Sequence, residues 1–136
     1  MSLAKLQNTT IMSTELTHAR LKHLATKIGV TEDIVSRLAL GVSIREGSVK
    51  SDWIPEKREG EPLQEVTSGK SLRGKTLFKD ELPLWMMLLS KVEGEMDSID
   101  DARNKFILHW ERGIELISIT NNDGDWIHLV SSLYSC

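Results

Sequence analysis

The chain of 136 residues holds a single cysteine, Cys136, its last residue, so a disulfide framework is excluded and a reducing compartment is the natural expectation. It has no apolar run approaching the ~18 residues that a membrane helix requires. No apolar segment follows positive charge at the N-terminus, so no export signal is expected, and the expected location is the cytoplasm with no membrane partner. An overall excess of positive charge is missing too: 17 Lys and Arg stand against 20 Asp and Glu, a formal net charge of -3, so bulk composition does not announce a nucleic-acid binder. Internal repeats and low-complexity tracts are absent as well.

What charge there is has a polarised distribution. Residues 1 to 80 carry 13 basic and 10 acidic side chains, whereas residues 81 to 136 carry 4 and 10. The N-terminal part is therefore the part that can face a polyanion.

The length suits one compact domain. Residues 1 to 13 are small and polar with scattered hydrophobes and read as a flexible arm, leaving 14 to 136 as a single mainly α domain. Four to five helices are expected around a long central loop, with room for short strand pieces. Leu21, Leu24, Ala25 and Ile28 fall on one helical stripe closed by Gly29, with Arg20, His23 and Lys27 on one flank and His18 and Lys22 on the other. Thr31 offers an N-cap and Glu32 and Asp33 a dipole-matched first turn for a second helix, whose main stripe is Ile34, Val35, Leu38, Ala39 and Val42. Leu40, Gly41 and Ile44 leave that stripe and lie near Arg37, so they are the expected oligomer contact.

Residues 46 to 68 read as a loop anchored by Trp53, Ile54 and Leu63. The segment from Asp80, apolar nearly all round between Leu84 and Val92, reads as the central core helix. Ser98, followed by Asp101, opens an amphipathic helix through Ile99, Ala102, Phe106, Trp110, Gly113, Ile114 and Ile117. A turn at 121 to 124 then precedes a short closing element around Trp126 and Leu129.

One string stands out. Gly69, four residues, then Gly74-Lys75-Thr76 spells the phosphate-binding loop of nucleotide hydrolases. Such a loop follows a buried strand, and the residues from Glu61 to Ser68 are too polar for one. The rival readings are a solvated loop, or a basic loop in which Lys70, Arg73, Lys75 and Lys79 touch nucleic-acid phosphates while the glycines let the backbone approach. Arg20, Lys22 and Lys27 likewise form either an ordinary solvated helix face or part of a phosphate-contacting set.

Chemistry of other kinds finds little purchase. His18, His23, His109 and His128 lack metal-ligand spacing. A calcium loop centred on Gly124 would need ligands at Ile119 and Val130. Asp80-Glu81 and Asp100-Asp101 suit helix N-termini better than a catalytic pair, and no nucleophile and base can be paired by spacing. No enzyme activity, metal or cofactor is expected.

Taken together, Lys27 to Thr31, Ile34 to Leu40, Ser43 to Gly47, Gly69 to Leu89 and Glu111 to Leu116 resemble the DndE family, small proteins of the bacterial DNA phosphorothioation system, which replaces a backbone oxygen with sulfur. The likeness covers roughly residues 14 to 117; a first helix less basic than usual and an extension over 118 to 136 depart from it. The resemblance implies a helical homotetramer that binds double-stranded DNA, nicked duplex above all, beside other phosphorothioation proteins. Arg20, Lys22, Lys27, Arg37, Lys70, Arg73, Lys75 and Lys79 are the expected DNA contacts. The alternatives are a scaffold that docks other modification proteins with little DNA contact, and a nucleotide-binding protein using Gly69 to Thr76.

Overall fold

The computed structural model describes residues 3–120, in the order α1 (Leu3–Gln7), β1 (Thr10–Met12), α2 (Glu15–Ile28), α3 (Glu32–Arg45), β2 (Ser71–Arg73), α4 (Gly74–Phe78), α5 (Leu82–Glu93) and α6 (Ile99–Thr120). The expected closing element near Trp126 lies outside the described residues. The mainly α expectation holds, with six helices and one two-stranded antiparallel ribbon among the described residues. No helix among them is long and apolar enough to cross a membrane.

The core is the crossing of α3 and α6, the most extensive contact in the chain. Small residues on α3 make it close. A Cβ on Gly113 would run into the carbonyl of Ala39, and Trp110 Nε1 donates to Ser36 Oγ at 3.0 Å. The α6 stripe buries Ala102, Phe106, Trp110, Ile114 and Ile117 as its periodicity predicts, and Ser98 Oγ caps the helix by accepting from Asp101 N at 3.1 Å. The α2 stripe of Leu21, Leu24, Ala25 and Ile28 is buried as predicted and ends at Gly29 in the left-handed region, φ 83°. At its start, the buried Glu111 carboxylate accepts from Thr14 N, Thr14 Oγ1 and Thr17 Oγ1 at 3.0, 2.6 and 2.7 Å, fixing α2 to α6.

Four expectations need correction. Residues 3 to 13 are not a flexible arm: α1 and β1 pack into the core through Leu6 and Ile11, and Ile11 pairs with buried Leu72 across the ribbon. Short strands therefore exist, but at 10–12 and 71–73 rather than in the long loop. α5 is not the central helix, since only Leu82 and Leu89 are fully buried while Leu84 and Met87 are 45% and 63% exposed. Finally, Leu40 and Ile44 are buried inside the chain, because α3 is sandwiched between its own neighbours; the oligomer contact expected at Leu40, Gly41 and Ile44 cannot be built on those two.

Loop 46–68 is held by buried ions more than by its hydrophobes, and Ile54, an expected anchor, is 76% exposed. Arg20 Nε and NH2 grip the two oxygens of Glu61 at 2.7 and 3.1 Å, NH1 reaches Glu115 at 2.9 Å, and NH2 also meets the Glu56 carbonyl. Arg112 holds the start of the loop through the carbonyls of Ser43, Gly47 and Ser48 at 2.6, 2.6 and 3.0 Å.

Candidate nucleic-acid interface

The Gly69 to Lys79 stretch decides how the surface is read. Ser13 N donates to the Lys70 carbonyl and Lys70 N to Ser13 Oγ, both at 2.9 Å, while Gly74 N donates to the Thr9 carbonyl at 2.9 Å. A Cβ on Gly69 would collide with the Ser13 carbonyl, and one on Gly74 with the Leu6 carbonyl. Both glycines thus exist to let the N-terminal segment cross this stretch, not to let a phosphate approach. A nucleotide loop offers its amides to the ligand, and here those of Lys70 and Gly74 are already spent on the chain.

The basic side chains are distributed on two sides of α2. On one side a groove is lined by Ala25, Thr26, Val30, Thr31, Glu32, Asp33, Lys70, Leu72 and Thr76. Lys70 Nζ lies 3.1 Å from Glu32 Oε1, and Arg37 NH1 donates to the Thr76 carbonyl at 3.1 Å beside Asp33. Lys22 stands one turn before Thr26, whose hydroxyl donates to the Lys22 carbonyl at 2.9 Å. Asp33 is held below the usual carboxylate range by a hydrogen bond with Thr31, and by the charges of Arg37 and Lys79. Lys79 leaves α4 with φ 53°, a left-handed residue that turns the chain at this edge. Arg37, Lys70 and Lys79 thus act on the two carboxylates Glu32 and Asp33 at this groove, while Lys22 is exposed on α2 one turn before Thr26. Arg73 and Lys75 are exposed on β2 and α4 close by in sequence but do not line the groove.

On the other side of α2, Lys27 and His23 line a smaller hollow with Arg58, Glu61 and Ser118. Lys27 is therefore separated from the Lys22 group. Arg20 leaves the surface set: it is 1% exposed, and although burial pulls its pKa down, Glu61 and Glu115 more than offset this and hold the guanidinium charged. It braces the hollow from beneath. The helical projection placed Arg20, His23 and Lys27 on one flank and His18 and Lys22 on the other, and that division holds; what it could not supply was the depth of Arg20, which depends on Glu61 in a distant loop.

His18 stands beside the groove residue Glu32, a neighbour that the reading of cations alone overlooks. Its Nδ1 lies 2.8 Å from the Ser68 carbonyl and its Nε2 3.8 Å from Glu32. The signal was its spacing, one turn before Lys22.

A second cluster has the connectivity of a hydrolytic triad. Ser43 Oγ lies 2.8 Å from His109 Nδ1, and His109 Nε2 lies 2.7 Å from Glu93 Oε2. Ser43 and His109 are fully buried, however, and Ser43 Oγ also accepts from Arg112 Nε at 2.9 Å. A nucleophile must meet its substrate, and this hydroxyl faces only its own chain. Burial pushes the His109 ring below its ordinary value, only partly offset by Glu93.

Fold and surface together define a small mainly α protein whose mixed-charge groove carries a cationic rim. The chain belongs to the DndE family: the model of the DNA sulphur modification protein DndE matches residues 11–123. It is similar to the crystal structure of DndE from Escherichia coli B7A involved in DNA phosphorothioation modification, with a TM-score of 0.58 and 20% identity over 79% of this chain and 94% of that one, a likeness of fold. No curated protein matches the chain.

Proposed function

We propose that this protein is a non-enzymatic DNA-binding subunit of the bacterial DNA phosphorothioation machinery, working in the cytoplasm on double-stranded and nicked duplex DNA. The observation that carries the reading is the placing of Arg37, Lys70 and Lys79 about Glu32 and Asp33 at one groove, with Lys22, Arg73 and Lys75 exposed on α2, β2 and α4. These are long side chains suited to phosphates. Partial neutralisation by Glu32 and Asp33 makes a single patch weak. A homo-oligomer, the family's tetramer in this reading, multiplies it, because linked patches raise effective concentration without new contacts. Family membership supports the setting, and the commitment of Ser43 and His109 within the chain supports the absence of catalysis.

Gel shift across a salt series tests the proposal. Binding to nicked duplex at low salt is expected to weaken linearly on a log–log plot, with a slope of about -0.9 per phosphate neutralised. Binding without salt dependence, or none at low salt, overturns it. A scaffold that docks other phosphorothioation proteins is the second reading, favoured by the exposed apolar residues of α5. In that case Arg73→Ala with Lys75→Ala leaves DNA modification in cells intact, whereas DNA contact predicts its loss.

A further inference from the structure

The smaller hollow, on the other side of α2 from the groove, brings three basic side chains to one place. His23 and Lys27 stand one turn apart on α2, and Arg58 joins them from loop 46–68. Glu61, the carboxylate in the lining, is already engaged: its two oxygens accept from Arg20 at 2.7 and 3.1 Å, and Arg58 N donates to Oε1 at 3.2 Å. Of the Arg58 fork, NH2 stands 3.6 Å from Glu61 Oε2, while NH1 is buried and has no acceptor among the described residues. A buried guanidinium donor left without an acceptor is costly, and an anion entering the hollow satisfies it.

We infer that this hollow binds a phosphomonoester, a phosphate at the end of a molecule, with Arg58 as the fork that receives it and Lys27 and His23 as further donors. The planar guanidinium matches two oxygens of a phosphate, and the lysine adds a point charge. The hollow holds about 230 Å³, less than the roughly 300–1,000 Å³ of pockets that take a whole drug-sized ligand, so it suits one end of a ligand. Leu24 and Pro62 supply an apolar wall for the pentose next to the phosphate, and Ser118 a hydroxyl. A phosphodiester within a duplex has a sugar on both sides and suits an open groove. A phosphate on the 5′ end of a strand, or on a free nucleotide, has one sugar and suits a closed hollow.

The inference uses none of the groove residues on which the proposed function rests. Titration of the full chain with adenosine 5′-monophosphate at low salt is expected to show one site per chain, and titration with adenosine none. Arg58→Gln and Lys27→Gln are each expected to weaken the monophosphate about tenfold or more, the scale of a charge-assisted hydrogen bond. Lys91→Gln, an equal loss of charge on α5, leaves its affinity as it is. In Arg58→Gln the Glu61 carboxylate keeps Arg20, so the thermal melt is expected to stay near that of the parent. A short single strand with a 5′-phosphate is then compared with the same strand ending in a 5′-hydroxyl. A gain from the 5′-phosphate that disappears in Arg58→Gln assigns the site to DNA ends; a loss in that variant confined to the monophosphate assigns it to a free nucleotide. Adenosine binding as well as its monophosphate, no binding of the monophosphate at ~1 mM, or binding indifferent to Arg58→Gln overturns the inference. Failure of the parent to bind duplex DNA leaves these titrations untouched, so the two proposals fail separately.

Discussion

Ser43 Oγ and His109 Nδ1 lie 2.8 Å apart with no exposure to solvent, and the same hydroxyl accepts from Arg112 Nε–H at 2.9 Å. Arg112 can only donate, which leaves the Ser43 hydrogen available to an unprotonated Nδ1, with Nε2–H for Glu93, the pairing that a neutral ring makes. Burial favours the neutral ring, and the cluster ties the ends of α3 and α5 to α6 and the start of loop 46–68.

Acid is therefore expected to weaken the fold in two stages. Burial holds the His109 ring below its ordinary value, so the unfolded chain takes up this proton first; stability is full above about pH 6.5 and declines as pH falls from there toward the folded value. Burial pushes Glu93 upward, but Val49 N–H, His109 and Lys105 more than offset it, so its share is lost at lower pH. Urea denaturation at intervals from pH 8 to pH 4 checks this, and His109→Gln is expected to remove the first stage and leave the second.

Arg20→Met leaves Glu61, whose side chain is 1% exposed, as a buried charge short of its main partner. Loss of one member of such a pair costs about 3–5 kcal/mol. Unfolding curves should show this loss, while the salt slope of DNA binding in the folded fraction stays unchanged. A lowered slope would return Arg20 to the interface.

Glu32 holds Lys70 at 3.1 Å and stands 3.8 Å from His18. Glu32→Gln removes a carboxylate from the groove and releases Lys70, so duplex affinity is expected to rise several-fold at low salt and the salt slope to steepen by about one unit. Fluorescence anisotropy over a salt series measures both.

Two helix glycines make a matched pair. Gly41→Ala is expected to stabilise by about 0.5–1 kcal/mol, since helix propensity improves and the new methyl meets Trp85 at 3.8 Å. Gly113→Ala drives a methyl into the Ala39 carbonyl and is expected to destabilise by about 1–3 kcal/mol or more. Thermal melts of the two variants should move in opposite directions.

The helical stripes were legible because each is a local pattern: Leu21 to Ile28 and Ala102 to Ile117 announce their buried faces at a spacing of three or four residues. α5 was misplaced because an all-round apolar helix looks the same whether its neighbours belong to its own chain or to another. The N-terminal segment was misread for a related reason. Leu6 and Ile11 are isolated hydrophobes whose partners lie more than sixty residues away in β2 and α4, and no local period reports that. Of the candidate site, the residue types and the flank of α2 were readable, but not the internal use of Arg20 or the acids that share the groove. The letters of the Gly69 to Thr76 string were a coincidence of packing, because two glycines five residues apart serve two crossings of one segment.

Those crossings also set an order on folding during synthesis. The segment that contains Leu6 and Ser13 leaves the ribosome before the residues that receive it, Gly69 and Gly74, which follow only after some sixty more have been made, and Glu111, which anchors Thr14, comes later still. Until then α2 and α3 can pair locally, while Leu6 and Ile11 remain without their final neighbours. The closure of this domain is thus a late, long-range step that waits on residues up to Glu111, and it makes the segment from Leu6 to Thr14 the last to be locked.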